Sequence, residues 1–150
     1  MMSLNTLIKD KSVKANIVAD CTQLMDEQVA AKGGLSGMAL KTAYKLIKGI
    51  GPKYVEGAIG RLLPEAFKAL DPMWEEGLQN GTPVDYLIQN RSRTADLVLS
   101  VTDARMANKG EGILRSTYNK FRKSVKGDIE EAVPGLAKII GNYAQTMQQA

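Results

Sequence analysis

At 150 residues, with 20 Lys and Arg against 16 Asp and Glu, the chain has the size of one ordinary domain and a formal charge of +4. It contains no histidine and a single cysteine, which excludes Ser-His-Asp and Cys-His catalysis, imidazole metal ligation, an internal disulfide and a four-thiolate metal centre. With 44% hydrophobic and 24% charged residues, the composition is that of a folded globular protein rather than a disordered or fibrous one.

The opening MMSLNTLIKDKSVK is charged where a signal peptide would be apolar, and no run approaches the ~18 apolar residues of a membrane span. The expectation is a cytoplasmic protein without integral membrane association. In chain order, Val13, Ile17, Cys21 and Leu24 recur at helical spacing and predict a first long helix from Ser12 to Ala31, stopped by Lys32-Gly33-Gly34. Leu40, Ala43, Tyr44 and Ile47 mark a second helix after Ser36, closed at Gly49, and Pro52 opens a third at its first position. Pro64 should break or kink that third helix. Asp71-Pro72 and Thr82-Pro83 then read as N-cap and first residue of two short helices, with Asn80-Gly81 as the turn between them. Ser92 to Asn108 forms another amphipathic helix, ended by Lys109-Gly110. The last two helices start near Glu111 and Asp128, the second bent at Pro134. With no alternating strand pattern, the fold class is all-α, a compact bundle of about seven helices.

The halves of the chain resemble each other. Shifted by 74 positions, Leu40 to Lys48 lies over Leu114 to Arg122 and pairs Lys41 with Arg115, Tyr44 with Tyr118 and Lys48 with Arg122. Upstream, after a three-residue length difference, Leu24 to Gly33 lies over Val101 to Gly110 and pairs Asp26 with Asp103. These matches predict two three-helix units, about 12–70 and 90–148, related by a pseudo-twofold axis and joined by a proline-punctuated connector of about 70–90 within a single domain.

No reactive constellation emerges. Cys21 falls on the apolar stripe, where a thiol is a small buried hydrophobe. Glu75-Glu76 and Glu130-Glu131 suit the first turns of helices. Carboxylates on facing helices lack the histidine that di-metal bundles add. The sequence therefore assigns no catalytic residue, no metal and no cofactor, and the expectation is a protein that is not an enzyme.

Basic helical faces remain. Lys41, Lys45 and Lys48 lie at i, i+4 and i+7, and Arg115, Arg122 and Lys126 occupy the related face of the second half, so these six are candidate anion-binding residues. Such faces suit an acidic protein or another anionic surface, and a module built of two halves is a candidate homodimer. A second candidate partner is nucleic acid. The segment Ile47 to Val55, with Gly49, Ile50, Gly51 and Lys53, resembles the turn of the helix-hairpin-helix DNA-binding motif. That resemblance implies phosphate contacts from Gly49, Gly51 and Lys53 and sequence-indifferent DNA binding.

Over most of its length, through GLSGMALKTAYK (Gly34 to Lys45), LLPEAFKALDPMW (Leu62 to Trp74) and LSVTDARMA (Leu99 to Ala107), the chain is similar to a family of small bacterial proteins of unknown function. The resemblance implies a compact helical protein and brings no catalytic residue, cofactor or partner. The functional expectation is a helical interaction module, able to self-associate, with its basic faces toward an anionic partner.

Overall fold

A computed structural model describes residues 4–109 and 112–149. They form α1 (Leu4–Leu7), α2 (Lys11–Ala31), α3 (Gly34–Lys48), α4 (Tyr54–Gln79), α5 (Pro83–Gln89), α6 (Arg91–Lys109) and α7 (Gly112–Gln149), with no strand among the described residues. The all-α bundle expected from the spacing is the observed fold. Gly110 and Glu111, read as a helix stop and a helix start, lie outside the described residues.

Local signals account for most boundaries. Asp10 caps α2, its Oδ1 accepting the Ser12 N–H at 2.9 Å and the Val13 N–H at 3.2 Å. The Val13 N–H, then the Ser12 hydroxyl and N–H, hold this carboxyl below its ordinary range. Gly34 takes φ +72° where the chain turns from α2 into α3, a backbone conformation that glycine adopts without strain. At Gly37 the two helices come so close that an added Cβ would lie 2.7 Å from the Lys32 backbone. Pro52 does not begin α4. The helix starts two residues later, at Tyr54, after Lys53 has taken a left-handed conformation at φ 63°.

Three further expectations are corrected. First, Pro64 does not break the third helix, and Asp71-Pro72 does not start a new one: α4 runs unbroken from Tyr54 to Gln79 through both prolines. Each interior proline costs about 3 kcal/mol of helix stability. Pro64 and Pro72 lie on the exposed side, however, while Leu63, Phe67, Leu70, Met73, Trp74 and Gly77 form one uninterrupted buried stripe. Burying each large side chain of that stripe contributes about 1.5–3 kcal/mol, which outweighs the two lost hydrogen bonds. Second, Asp71 caps a different helix. Its Oδ1 accepts the Leu4 N–H at 2.8 Å and fastens α1, an element the sequence reading did not contain, with Leu4 and Leu7 in the core. Third, no helix begins at Asp128. The chain passes through Gly127 and Pro134 within the 38 residues of α7, whose Val133, Ala137, Ile140 and Ala144 form a continuous buried row.

One core joins α1, α2, α4, α5 and α7, centred on Ile17, Phe67, Leu70, Met73, Leu87 and Ile140. The 70–90 stretch carries Leu70, Met73, Trp74 and Leu87 into that core. At its bend, Gly77 lets α5 approach α4 so closely that an added Cβ would lie 2.6 Å from Pro83 Cα. By contrast, α3 buries only Gly37 and Ala43 and leaves Leu35, Met38 and Leu46 exposed. It lies on the outside of the bundle.

Candidate functional site

The residues matched between the halves make matched contacts. On α2 and α3 the Asp26 carboxylate accepts the Tyr44 hydroxyl at 2.6 Å and Lys48 Nζ at 3.3 Å. On α6 and α7 the Asp103 carboxylate accepts the Tyr118 hydroxyl, and Arg122 donates Nε and Nη2 to its two oxygens at 2.9 Å each. The Tyr44 hydroxyl, then Lys48, holds the Asp26 carboxyl below its usual range. Burial pushes the Asp103 carboxyl upward, but Tyr118 and Arg122 outweigh it and hold it low. Both tyrosines are raised, by burial first and then by the carboxylate they bond. Beyond these hairpins the backbones diverge. Gly49 to Lys53 breaks the chain between α3 and α4, whereas the matching Lys123 to Gly127 stretch stays helical inside α7. Pro52 has no N–H to continue α3, and nothing in 123–127 imposes such a stop.

The six candidate cations therefore fall into two groups. Lys48 pairs with Asp26, Arg122 with Asp103, and Lys126 with Asp96 at 3.1 Å, so these three are already neutralised within the chain. Lys41, Lys45 and Arg115 are exposed and make no ion pair with the described residues. Lys32, which the sequence reading used only as part of a helix stop, is salt-bridged to Asp128 at 2.6 Å and Glu131 at 2.8 Å. It joins the end of α2 to the middle of α7, and those bonds, Asp128 first, raise its pKa.

Between α3 and the first half of α7 lies an open groove of about 770 Å³. Met38, Ala39 and Leu46 line one wall, and Thr117, Lys120 and Phe121 the other. Met38 is 65% exposed, Leu46 56% and Leu35, further along the same face of α3, 86%. The sequence marked this helix by Leu40, Ala43, Tyr44 and Ile47, and Leu35, Met38 and Leu46 were not singled out. The signal was legible: one short helix carries a second apolar face of Leu35, Met38 and Leu46. Residues 34–48 and 112–127, which form the walls, contain eight Lys and Arg and no Asp or Glu. Five of these cations, Lys41, Lys45, Arg115, Lys120 and Lys123, are free of ion pairs with the described residues.

The Gly49 to Lys53 turn borders a small cleft of about 250 Å³ lined by Lys48, Gly51 and Lys53 but also by Asp26 and Glu56. Two carboxylates beside the glycines oppose a phosphate there. Lys53 is held in the left-handed region, and Ile50 is 45% exposed. Cys21 is half-buried against the core, and burial, then the Asp20 charge, pushes its thiol up to about 11. No group of three or more acidic or thiol ligands converges among the described residues. No helix among them is long and apolar enough to cross a membrane.

Comparison with curated proteins and with solved structures gives no match. The profile of a family of unknown function, DUF6918, matches residues 4–144. With the match running from the first turn of α1 almost to the end of α7, the chain belongs to this family of unknown function.

Proposed function

We propose that the protein is an interaction module whose α3–α7 groove docks an acidic amphipathic helix of another protein. The observation that carries this reading is the coincidence of an exposed apolar trough, with Lys120 on its lining, and two flanking helical segments that hold four further cations free of ion pairs with the described residues and no carboxylate of their own. Exposed apolar patches rimmed by charge are typical of protein contacts. A trough between two helices accepts a third by ridge packing, with anchors at helical spacing seated on Met38, Leu46 and Phe121. The unpaired cations meet the carboxylates of the incoming helix and steer its approach. A second copy docking groove to groove would set cations against cations, so self-association through this face is disfavoured.

Fluorescence anisotropy tests the reading with a labelled amphipathic peptide of roughly 18 residues, about five helical turns, with leucines at helical spacing and glutamates elsewhere, beside a lysine counterpart. The acidic peptide binds, more weakly as salt rises, and Leu46→Asp or Met38→Asp weakens it about tenfold or more. Equal binding of the acidic and basic peptides overturns the proposal. So does capture of the protein by anionic vesicles or duplex DNA with no binding of the acidic peptide, or a dimer in ultracentrifugation that Leu46→Asp dissolves.

A further inference from the structure

On the opposite side of α3, a second cavity of about 400 Å³ lies between α2, α3, α4 and α6. Its size is that of a small-molecule pocket between the helices of a bundle. The walls are mostly apolar, from Met25, Ile47, Val55, Ile59, Leu62 and Met106, and their polar members are Tyr44, whose hydroxyl is bonded to Asp26, Tyr54 and two arginines, Arg61 and Arg105. No carboxylate lines the cavity, and neither arginine forms an ion pair with the described residues. Arg105 is half-buried on α6. Arg61 folds back along α4 over Gly57, where an added Cβ would stand 3.3 Å from its Nη1. The neighbouring cations are treated differently: Lys48 and Arg122 each have a carboxylate, on Asp26 and Asp103. Arg61, which is exposed, and the half-buried Arg105 border an apolar cavity without a counter-charge on its lining, and leave bidentate donors for an anion beside surroundings that favour a hydrocarbon tail.

From this arrangement we infer that the cavity binds a single-chain amphipathic anion, its tail among Ile47, Ile59, Leu62 and Met106 and its carboxylate or phosphate head on Arg61 and Arg105. This site is separate from the α3–α7 groove and stands or falls without it. The paired cations Lys48 and Arg122 are not available to it, which leaves the two cavity arginines as the head-group site.

Isothermal titration calorimetry with decanoate, decyl phosphate, decanol and decylammonium, each below its micellar concentration, tests the assignment on the full chain. Decanoate, decyl phosphate or both bind with one site per chain, and their relative strength identifies the head group. Decanol binds about tenfold more weakly or worse, decylammonium does not bind, and shortening decanoate to octanoate weakens binding roughly fourfold per methylene removed. Arg61→Gln and Arg105→Gln each weaken the anion severalfold and leave decanol unchanged. Ile59→Trp fills the cavity and abolishes all binding, and circular dichroism shows whether that variant keeps its helices. Should it not fold, the arginine pair still decides. Met38→Asp, in the groove, leaves decanoate affinity unchanged. The assignment is overturned if no ligand saturates, if decanol matches decanoate, or if the Arg61→Gln, Arg105→Gln double variant binds the anion as the parent does.

Discussion

Arg122 grips the Asp103 carboxylate through two bonds of 2.9 Å, whereas in the matching hairpin Lys48 reaches Asp26 through one of 3.3 Å. The guanidinium fork fits both oxygens of a carboxylate, and an ammonium is a point charge that does not. Lys48 also lies 5.2 Å from the centre of the Tyr44 ring, so its charge is shared between the carboxylate and the aromatic face. In each hairpin a tyrosine hydroxyl completes the cluster.

Those hydroxyls are the part of each cluster that can be removed without altering charge. Tyr44→Phe and Tyr118→Phe should each lower stability by about 1–2 kcal/mol, the worth of one partly buried bond to a carboxylate. The two clusters share no partner, so the double variant should show the sum in urea unfolding. The acid limb follows from the same bonds. Asp26 and Asp103 are held below the ordinary 3.8, so the stability they contribute is complete above that value and is lost as pH falls through their lower folded pKa. Each Phe variant should therefore lose less on acidification than the parent. An unchanged acid limb in both would show that the clusters do not set it.

At the alkaline end, Cys21 is raised from 9.0 to about 11, by burial and then Asp20. Tyr143 is raised from 10.0 to about 12, by its hydrogen bond to Asp20, at 2.7 Å, and then by burial. The folded state holds these protons more tightly than the unfolded chain, so the stability they contribute is full below pH 9 and is lost as pH rises through 9 to 12. The melting temperature should stay level from about pH 6 to 8.5 and then fall by about 5 °C or more by pH 11. Cys21→Ala should remove the earlier part of that fall. With a pKa of about 11, the native thiol should react with a neutral disulfide reagent at pH 8 about a hundredfold more slowly than a free cysteine.

Two glycines that admit close contacts should respond differently to alanine. At Gly77 the new Cβ would meet Pro83 Cα at 2.6 Å and Tyr86 Cβ at 3.0 Å, and the backbone of α5 cannot retreat without leaving the core. Gly77→Ala should lose about 1–3 kcal/mol in chemical unfolding despite the gain of about 1 kcal/mol in helix propensity. At Gly135 the obstacle is Leu24 Cδ1 at 2.5 Å, the far end of a side chain that can change rotamer. Gly135→Ala should stay within about 1 kcal/mol of the parent. Equal losses would mean that α2 is held against α7 as rigidly as α5 is against α4.

The candidate surfaces were partly legible before the fold was known. The matched segments paired Asp26 with Asp103, Tyr44 with Tyr118 and Lys48 with Arg122 as equivalent positions, and within each hairpin the acid meets its own tyrosine and cation, Asp26 with Tyr44 and Lys48 and Asp103 with Tyr118 and Arg122. The functional weight placed on Lys48, Arg122 and Lys126 was harder to judge, because a cation on a helix face looks the same in sequence with or without a carboxylate opposite it. Asp96, the partner of Lys126, lies thirty residues away. Only the Leu35, Met38 and Leu46 face of α3 was legible; the groove as a whole and the Arg61–Arg105 cavity were not, since each needs walls from helices far apart in the chain.

What the amino-acid order settled unaided was the helical class and the stripes that make it, because 3.6-residue periodicity and the Asn80-Gly81 and Gly33-Gly34 stops act within a turn or two of chain. Which prolines would interrupt a helix was decided only by tertiary packing. Pro52 ends α3, while Pro64, Pro72 and Pro134 stay inside helices whose opposite faces are buried. A missing N–H costs much the same at every such site. The compensating burial comes from distant segments, Ile17 and Leu4 against Phe67 and Ile140 among them, and only the assembled core supplies it.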